Sequence, residues 1–418
     1  MCSRLGGLRR SSLRRSGRPR VCIVRQLDHY ELPIQREADA LASAGFDVEV
    51  ILMRGPDAAP REIVNGVEIT TVPTALRKST KLHYVFDYAR FFVVIAITLA
   101  SRHLRRRYAV IQVNTMPDFL VFAAFVPKLL GAHVVAYMHE PSPELAETLF
   151  GPGALSRILG RIEQRVLRFA DHTITVTEQL KQRYVSRGAR PDHISVVLNG
   201  ADPAARLRGW TPSLRRRSDA KFTVICHGAI EDRYGQDTLI EAARLLRDEL
   251  ADLEIVLSGR GKRAQQIAEM ITALDLEHVV RFEGWVSHER LNDLLHAADV
   301  GVVAQKASSY SHLVHTNKMV DYWIFGLPVI ASRLRAVSEL YDDSVLEFYE
   351  PGDPNDLARA IRLLHDDPAR RDELARNGRL AQEQNGWAIQ QQEYLSVFER
   401  LLADPLRSGR VEPEENAV

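Results

Sequence analysis

Cysteine is scarce. The 418-residue chain has three, Cys2, Cys22 and Cys226, an odd number set far apart, which excludes a disulfide framework and the close spacings of a metal site. A reducing cytosol is the expected compartment. Long apolar runs are lacking too. FFVVIAITLA, residues 91–100, is about half of what a bilayer-crossing helix needs. It runs into SRHLRRRY, with four arginines. The pair reads as a buried helix whose basic end suits the helix dipole, or as a helix that presses apolar and basic residues onto a membrane surface. Net charge is nearly absent: 55 basic residues against 54 acidic leave +1, so no general case for nucleic-acid binding arises. There is no GxxxxGK[ST], no GxSxG and no GxGxxG after the first strand-like run, which argues against a P-loop NTPase, a serine hydrolase of the nucleophile-elbow type and a plain Rossmann oxidoreductase. No repeat close enough for a solenoid occurs.

What is present is ordinary in bulk and uneven in detail. A chain that is 45% hydrophobic and 26% charged is a soluble globular protein by composition, and its length favours two domains. The first twenty residues, MCSRLGGLRRSSLRRSGRPR, hold seven arginines and no acid. Such a segment buries too little apolar surface to order itself, and it suits anionic lipid. No apolar core follows the arginines, so it does not read as a secretory signal. The other end, VEPEENAV, is acidic.

Between the ends, short β-rich runs alternate with amphipathic stretches. VCIVRQL, VEVILM, AVIQVN, HVVAYMHE, HTITVT and ISVVLNG read as strands before residue 200. IQREADALASAGF places Ala38, Leu41 and Ala42 on one helical face and a glycine stop at Gly45. RLRGWTPSLRRRSDAK lacks periodicity and reads as a linker. The pattern then restarts with FTVICHG, LEIVLSGRG, VVRFEGWV, VGVVAQ, LPVIAS and VLEFYE. Two successive α/β units of this kind predict two facing Rossmann-like domains with a cleft between them. The expected boundaries are a disordered tail over 1–19, a first domain over 20–205, a linker over 206–220 and a second domain over 221–384. A helix over 385–404 packs back across the junction, and a second disordered tail covers 405–418.

Ligands of open parallel sheets bind at the carboxyl ends of the strands, and the distinctive residues fall there. HGAIEDRYG follows one strand and combines Gly228 and Gly235 with Arg233, a guanidinium beside a helix start and hence a diphosphate partner. Gly259 and Gly261 of SGRG end the next strand, where glycine lets backbone approach a ligand. His139 and Glu140 end a strand of the first unit, and a histidine there can serve a substrate hydroxyl. In HTNKMVDYWIFGLPVIAS, Thr316 or Asn317 caps a helix that stops at Gly326. Lys318 and Asp321 share one face of it, as an ordinary ion pair or as a site. No His/Cys/Asp cluster has metal spacing.

Taken together and in order, ISVVLNGAD, HGAIEDRYGQDTLIEAARLL, LEIVLSGRG, VVRFEGWVSHERLNDLLHAADVGVVAQ and TNKMVDYWIFGLPVIAS resemble the retaining nucleotide-sugar glycosyltransferases of family GT4. YAVIQVNTMPDFLVFAAFVPKLLGAHVVAYMHEPSPE and RFADHTITVTEQLKQRYVSRGA extend the resemblance from about residue 20 to residue 402. It implies the GT-B fold and transfer of a sugar from a UDP- or GDP-sugar to an acceptor hydroxyl with retention, without a metal or other cofactor. Asp321 then stands where the family has the second Glu of its E-x7-E motif, which binds the ribose hydroxyls. Thr316 and Asn317 would offer backbone N–H groups to the diphosphate, with Lys318 adding charge there or orienting Asp321. Arg233 would share that charge, and His139 would lie near the transferred sugar. The acceptor would be an envelope, exopolysaccharide or lipid-linked glycan, met in the cytoplasm at the inner membrane face.

The chain departs from the family in three places. Leu313 replaces the first Glu of E-x7-E, so donor-sugar contacts must come from elsewhere, with His312 and His315 as candidates. Tyr234 stands where a Lys normally precedes the glycine. The first loop, RQLDHYELPIQRE, lacks the usual glycine pair. A nucleotide-sugar epimerase or a phosphorylase of the same fold, and a nucleotide-binding subunit without turnover, are the alternative readings.

Overall fold

The structure, a computed structural model, describes residues 17–27, 30, 32–55, 58–74, 81–212 and 221–403, leaving aside the side chains of 81–85. Nearly all of the expected tails, and residues 213–220 of the expected linker, lie outside it. The chain divides into two compact units. One ends at Gln112 and adds Ala123–His133; the other comprises Val113–Phe122 and everything from Val134 onward.

The first sheet has eight strands, β1 (Arg20–Arg25), β2 (Asp47–Met53), β3 (Arg61–Val64), β4 (Val67–Val72), β5 (Val110–Asn114), β6 (His133–Met138), β7 (His172–Thr175) and β8 (Ile194–Val196). Their order is β3-β4-β2-β1-β5-β6-β7-β8. β2 pairs in parallel with β1 and β4, as β7 does with β6 and β8. Val21 to Val24 and Val48 to Met53 are buried without alternation, as expected of strands covered on both faces. Sequence reading missed β3 and β4, which form an antiparallel hairpin. Its turn is Asn65–Gly66, with φ of 51° and 82°, the positive-φ pair that two-residue hairpins favour.

Within the first unit, the 91–100 run belongs to a 25-residue helix, Lys81–Arg105. Phe91, Ile95 and Leu99 recur at every fourth position and are buried. Arg102 and Arg20 hold the buried carboxylate of Glu49, which also accepts from the Tyr108 hydroxyl. Arg106 pairs with Asp47, and Arg107 donates to the Leu130 carbonyl. Three of the four arginines after the run therefore have protein partners, and Arg102 supplies the charge that the buried Glu49 carboxylate requires. The opposite face, Phe86, Val93, Ile97 and Leu104, stays at least 52% exposed.

The second sheet lies wholly in the second unit. Its strands are β9 (Phe222–His227), β10 (Leu253–Ser258), β11 (Val280–Gly284), β12 (Val300–Val303), β13 (Val329–Ser332) and β14 (Glu347–Tyr349). Their order is β11-β10-β9-β12-β13-β14, parallel throughout. One face packs Val224, Leu257 and Val300 against the helices Gln236–Leu246 and Pro354–Asp366; the other packs Ile225, Val256 and Val329 against Tyr322 and Trp323. Each buried aliphatic side chain contributes about 1.5–3 kcal/mol of transfer free energy.

The last helix, Trp387–Ala403, sets Tyr394 beside Tyr137 of β6, with ring centroids 6.4 Å apart. The Gln390 side-chain oxygen accepts from the Leu198 N–H at 2.9 Å. Where this helix begins, Gly200 is pressed against it: a Cβ there would stand 2.7 Å from the Asn385 carbonyl and 2.8 Å from the Trp387 nitrogen. The segment after β8 continues as the short helix Pro203–Arg206, started by Asp202, whose carboxylate accepts from the Ala204 N–H. Arg206, where the sequence suggests a linker begins, is the last residue of that helix.

Candidate active site

The site is built around one short helix. Lys318–Ile324 is seven residues long and buries Met319, Val320, Tyr322 and Trp323 against the second sheet. The Tyr322 hydroxyl donates to the Val302 carbonyl at 3.1 Å and accepts from the His227 N–H at 3.3 Å, tying the helix to β12 and β9. Gly301 makes this possible, since a Cβ there would lie 2.3 Å from the Tyr322 ring. Gly326, at φ of 71°, ends the helix as expected. The start differs from expectation. Asn317 occupies the cap position without a side-chain cap bond, and the Thr316 hydroxyl accepts from the Lys318 N–H at 3.4 Å.

Lys318 and Asp321 share the helix but not a partner. The Lys318 ammonium stands over the Tyr234 ring, 4.1 Å from its centroid, a cation–π arrangement. Its stem crosses Gly228. Burial, with Arg233 nearby, lowers the Lys318 pKa. The Asp321 carboxylate instead takes the Arg206 Nε at 2.9 Å and faces the His227 ring nitrogen at 3.7 Å. The reading in which Lys318 orients Asp321, or pairs with it on a solvated face, is therefore corrected: Arg206 is the partner. His227 is buried and neutral, its pKa pulled down to about 4 by burial, with Lys318 and Arg206 opposing its charge and Asp321 favouring it.

The glycines of the strand-end loops divide by what they touch. Gly259 and Gly261 meet backbone: a Cβ would lie 1.7 Å from the Gly228 carbonyl and 2.1 Å from the Ile230 carbonyl, respectively. Here they let two loops pack main chain to main chain. Gly235, at φ of 64°, fits against the Ala304 carbonyl at the head of helix Gln236–Leu246. Arg233 reaches inward, its guanidinium 4.7 Å from the Tyr234 ring centroid and 5.9 Å from that of Tyr310.

Glu140, just past the end of β6, joins this group. The Tyr310 hydroxyl donates to the Glu140 carboxylate, linking β6 to the loop after β12 beside Arg233. The His139 ring stacks on Tyr137, centroids 4.2 Å apart, with the Asn114 amide 3.5 Å from its Nε2. Leu313, standing where the family's first Glu would be, is buried, and its carbonyl accepts from the Thr177 hydroxyl at 2.6 Å. His312 accepts from the Arg335 N–H at 3.3 Å. His315 is buried and lines a cavity of about 10 Å³ with Leu198, Gly200, Trp323, Tyr341 and Gln382. Burial there pushes its pKa down to about 4. His315 is thus not presented as an open sugar contact, whereas His312 is half-exposed.

The residues that sequence reasoning missed are Arg206, Asn292 and Tyr310. One signal was available: Asp202 followed by Pro203 is a helix start, which would have placed Arg206 on a helix rather than in a linker. Tyr310 and Asn292 carry no local mark. Among the described residues, no group of three or more His, Cys, Asp or Glu side chains is placed to hold a metal ion, and no helix is long and apolar enough to cross a membrane.

Comparison with known proteins defines the class. The fold is shared with sucrose-phosphate synthase from Thermosynechococcus elongatus, at a TM-score of 0.73 and 19% identity, over 92% of this chain and 100% of that one. It is shared with HepE from Anabaena, solved in complex with UDP, at a TM-score of 0.65 and 17% identity, over 91% and 100%. This is the two-domain GT-B fold of glycosyltransferases. In sequence, the family described as Glycosyltransferase Family 4 matches residues 34–205, and Glycosyl transferases group 1 matches 221–367. The D-inositol 3-phosphate glycosyltransferase of Kineococcus radiotolerans is 26% identical over 408 residues, covering 90% of this chain and 91% of its own. The chain belongs to the family 4, group 1 glycosyltransferases and is a glycosyltransferase.

Proposed function

We propose that the protein transfers a sugar from a UDP- or GDP-sugar to an acceptor hydroxyl, with retention at the anomeric carbon. The observation that carries this reading is the convergence of Lys318, Arg233 and Asp321 at the strand ends of the second sheet, with Glu140 joined to them through Tyr310. Two cations set beside each other at half-buried positions suit a leaving diphosphate, because charge that develops away from bulk water is stabilised most by preplaced charge. The seven-residue helix adds the N–H groups of its first turn but only a short dipole, so Lys318 is the larger contributor. Asp321 accepts the ribose hydroxyls. Gly228, Gly259 and Gly261 keep the loops low enough for a nucleotide to lie along them. The acceptor attacks the face the diphosphate leaves, the diphosphate takes the acceptor proton, and His139 holds the sugar. No metal is needed for the charge balance. The UDP bound by the Anabaena relative supports a nucleotide donor.

The acceptor reading is an envelope or exopolysaccharide glycan, or a lipid-linked one, met at an anionic membrane face. What supports the membrane contact is the exposed stripe Phe86, Val93, Ile97 and Leu104 of helix Lys81–Arg105, continued by Phe125 and Leu129 on the helix Phe125–Leu129. Arg105, Arg106 and Arg107 are exposed at its end. Co-sedimentation with anionic but not neutral liposomes, lost in Val93→Asp/Ile97→Asp, is expected; equal binding by the variant overturns it.

The donor reading is tested by thermal shift with UDP, GDP, ADP, CDP and NAD on wild type and Asp321→Ala. One nucleoside diphosphate stabilising only the wild type, followed by transfer from the matching nucleotide-sugar to an added acceptor, is the expected result. No shift from any nucleotide overturns it. Leu313 in place of the family's Glu favours one second reading, a nucleotide-binding subunit, which predicts the shift without transfer.

A further inference from the structure

We infer that Arg206 is a positioning residue for ribose recognition: its guanidinium fixes the plane of the Asp321 carboxylate so that one oxygen is presented to the hydroxyls of a bound nucleoside diphosphate. The inference rests on the donor-site reading above and adds to it a residue from outside the second sheet.

Arg206 ends a four-residue helix on the segment after β8, yet its side chain is only 11% exposed. A guanidinium that far from water must be matched by acceptors. It has two, on two helices. Nε donates to Asp321 Oδ1 at 2.9 Å, and a terminal nitrogen donates to the Asn292 side-chain oxygen. The planar group also stands over the Phe325 ring, 5.9 Å from its centroid. Three contacts from three residues set its orientation. A lysine offers no comparable rigid fork.

The effect on Asp321 is directional. The terminal torsion of an aspartate is broad and nearly two-fold, so an unpinned carboxylate presents either oxygen at many angles. With Oδ1 held by Arg206, Oδ2 is left facing His227 at 3.7 Å, beyond hydrogen-bond reach. Asp321 retains 22% exposure.

A purely structural role is separable, because the segment has its own anchor. Trp210 packs on Phe325, centroids 5.4 Å apart, and donates from its indole nitrogen to Asp293 at 3.1 Å. Loss of the Arg206 guanidinium therefore leaves the segment an attachment to the same two helical segments, through Asp293 and Phe325.

The test is calorimetric titration of UDP and 2′-deoxy-UDP (GDP and 2′-deoxy-GDP if the screen selects guanine) into wild type, Arg206→Met, Arg206→Lys and Asp321→Asn. Melting temperature is measured alongside. Wild type is expected to prefer the ribonucleotide at least tenfold, the scale of hydrogen bonds to a charged group. Arg206→Met is expected to reduce that preference to about twofold, as Asp321→Asn does, with Arg206→Lys intermediate. If Arg206→Met or Arg206→Lys melts earlier but keeps the full ribose preference, Arg206 is only a structural ion pair and the inference is overturned. A wild type that binds without ribose preference, or binds no nucleotide, overturns the donor-site reading itself, and this inference with it.

Discussion

Lys318 crosses Gly228 at a distance that leaves no room for a side chain: a Cβ on Gly228 would stand 2.6 Å from the lysine Cε and 3.1 Å from its Nζ. Gly228 also holds φ at 110°, a conformation that other residues enter only under strain. The glycine that follows β9 therefore makes the path along which the ammonium reaches Tyr234.

Gly228→Ala is the first consequence. It adds backbone strain and displaces the ammonium, so nucleoside diphosphate affinity is expected to fall about tenfold, with a loss of roughly 1–2 kcal/mol in stability. Calorimetric titration beside a denaturant melt separates the two. Unchanged affinity would mean that the Lys318 position is not what binds the diphosphate.

Lys318→Met removes the charge while keeping the stem. If the ammonium stabilises the leaving diphosphate, kcat/KM is expected to drop about 10²–10³-fold, on the scale of losing one preplaced donor. The preference for the diphosphate over the monophosphate should shrink with it. EDTA should leave wild-type transfer unchanged. A Lys318→Met enzyme of near-normal rate would shift the charge role to Arg233.

Tyr322→Phe tests the attachment of the helix. The hydroxyl joins the Val302 carbonyl to the His227 N–H, and both sit in the interior. Leaving them unpaired is expected to cost about 1–3 kcal/mol, read as a lower denaturation midpoint with an unchanged slope. Stability equal to wild type would show that the hydroxyl is dispensable there.

Part of the pH dependence follows from buried histidines. His172, His227 and His315 each have their pKa pushed down to about 4, chiefly by burial, whereas the unfolded chain protonates near the ordinary value of about 6.5. Between those values the unfolded state holds more protons, so stability rises with pH and falls as the solution is acidified. The histidines' contribution is complete above about pH 6.5 and is lost progressively toward pH 4, up to roughly 3 kcal/mol each, while the buried carboxyls Asp118 and Glu163, raised to about 6 and about 7 by burial, act in the opposite sense. No charged residue lines the His315 cavity, so His315→Leu should flatten the acid limb of the profile. A profile unchanged by that substitution would assign the acid sensitivity to other groups.

Much of the fold is legible locally. β9 to β14 coincide with the six apolar runs read from the second half, because strands buried on both faces need contiguous apolar residues. The hairpin of β3 and β4 was missed although VNGVE carries the Asn-Gly turn signal, since its strands are short and β3 is largely exposed. At the candidate site, Gly228, Arg233, Lys318 and Asp321 stand out in the sequence because strand ends and helix starts are marked by glycine, capping residues and charge. His315 was misjudged, since nothing in a sequence says whether a histidine beside a site points into it or into the interior.

The sequence by itself determined two parallel-sheet units, the strand ends that bear functional groups, and membership in a glycosyltransferase family. These rest on periodicity, turn chemistry and the order of short motifs, all of which act over a few neighbouring residues. Only the tertiary structure decided which charges meet. Lys318 and Asp321, one helical turn apart, take different partners, Tyr234 and Arg206. Glu140 is held by a tyrosine 170 positions away. A side chain can meet any charge that packing brings within a few ångströms, and chain separation does not limit that choice.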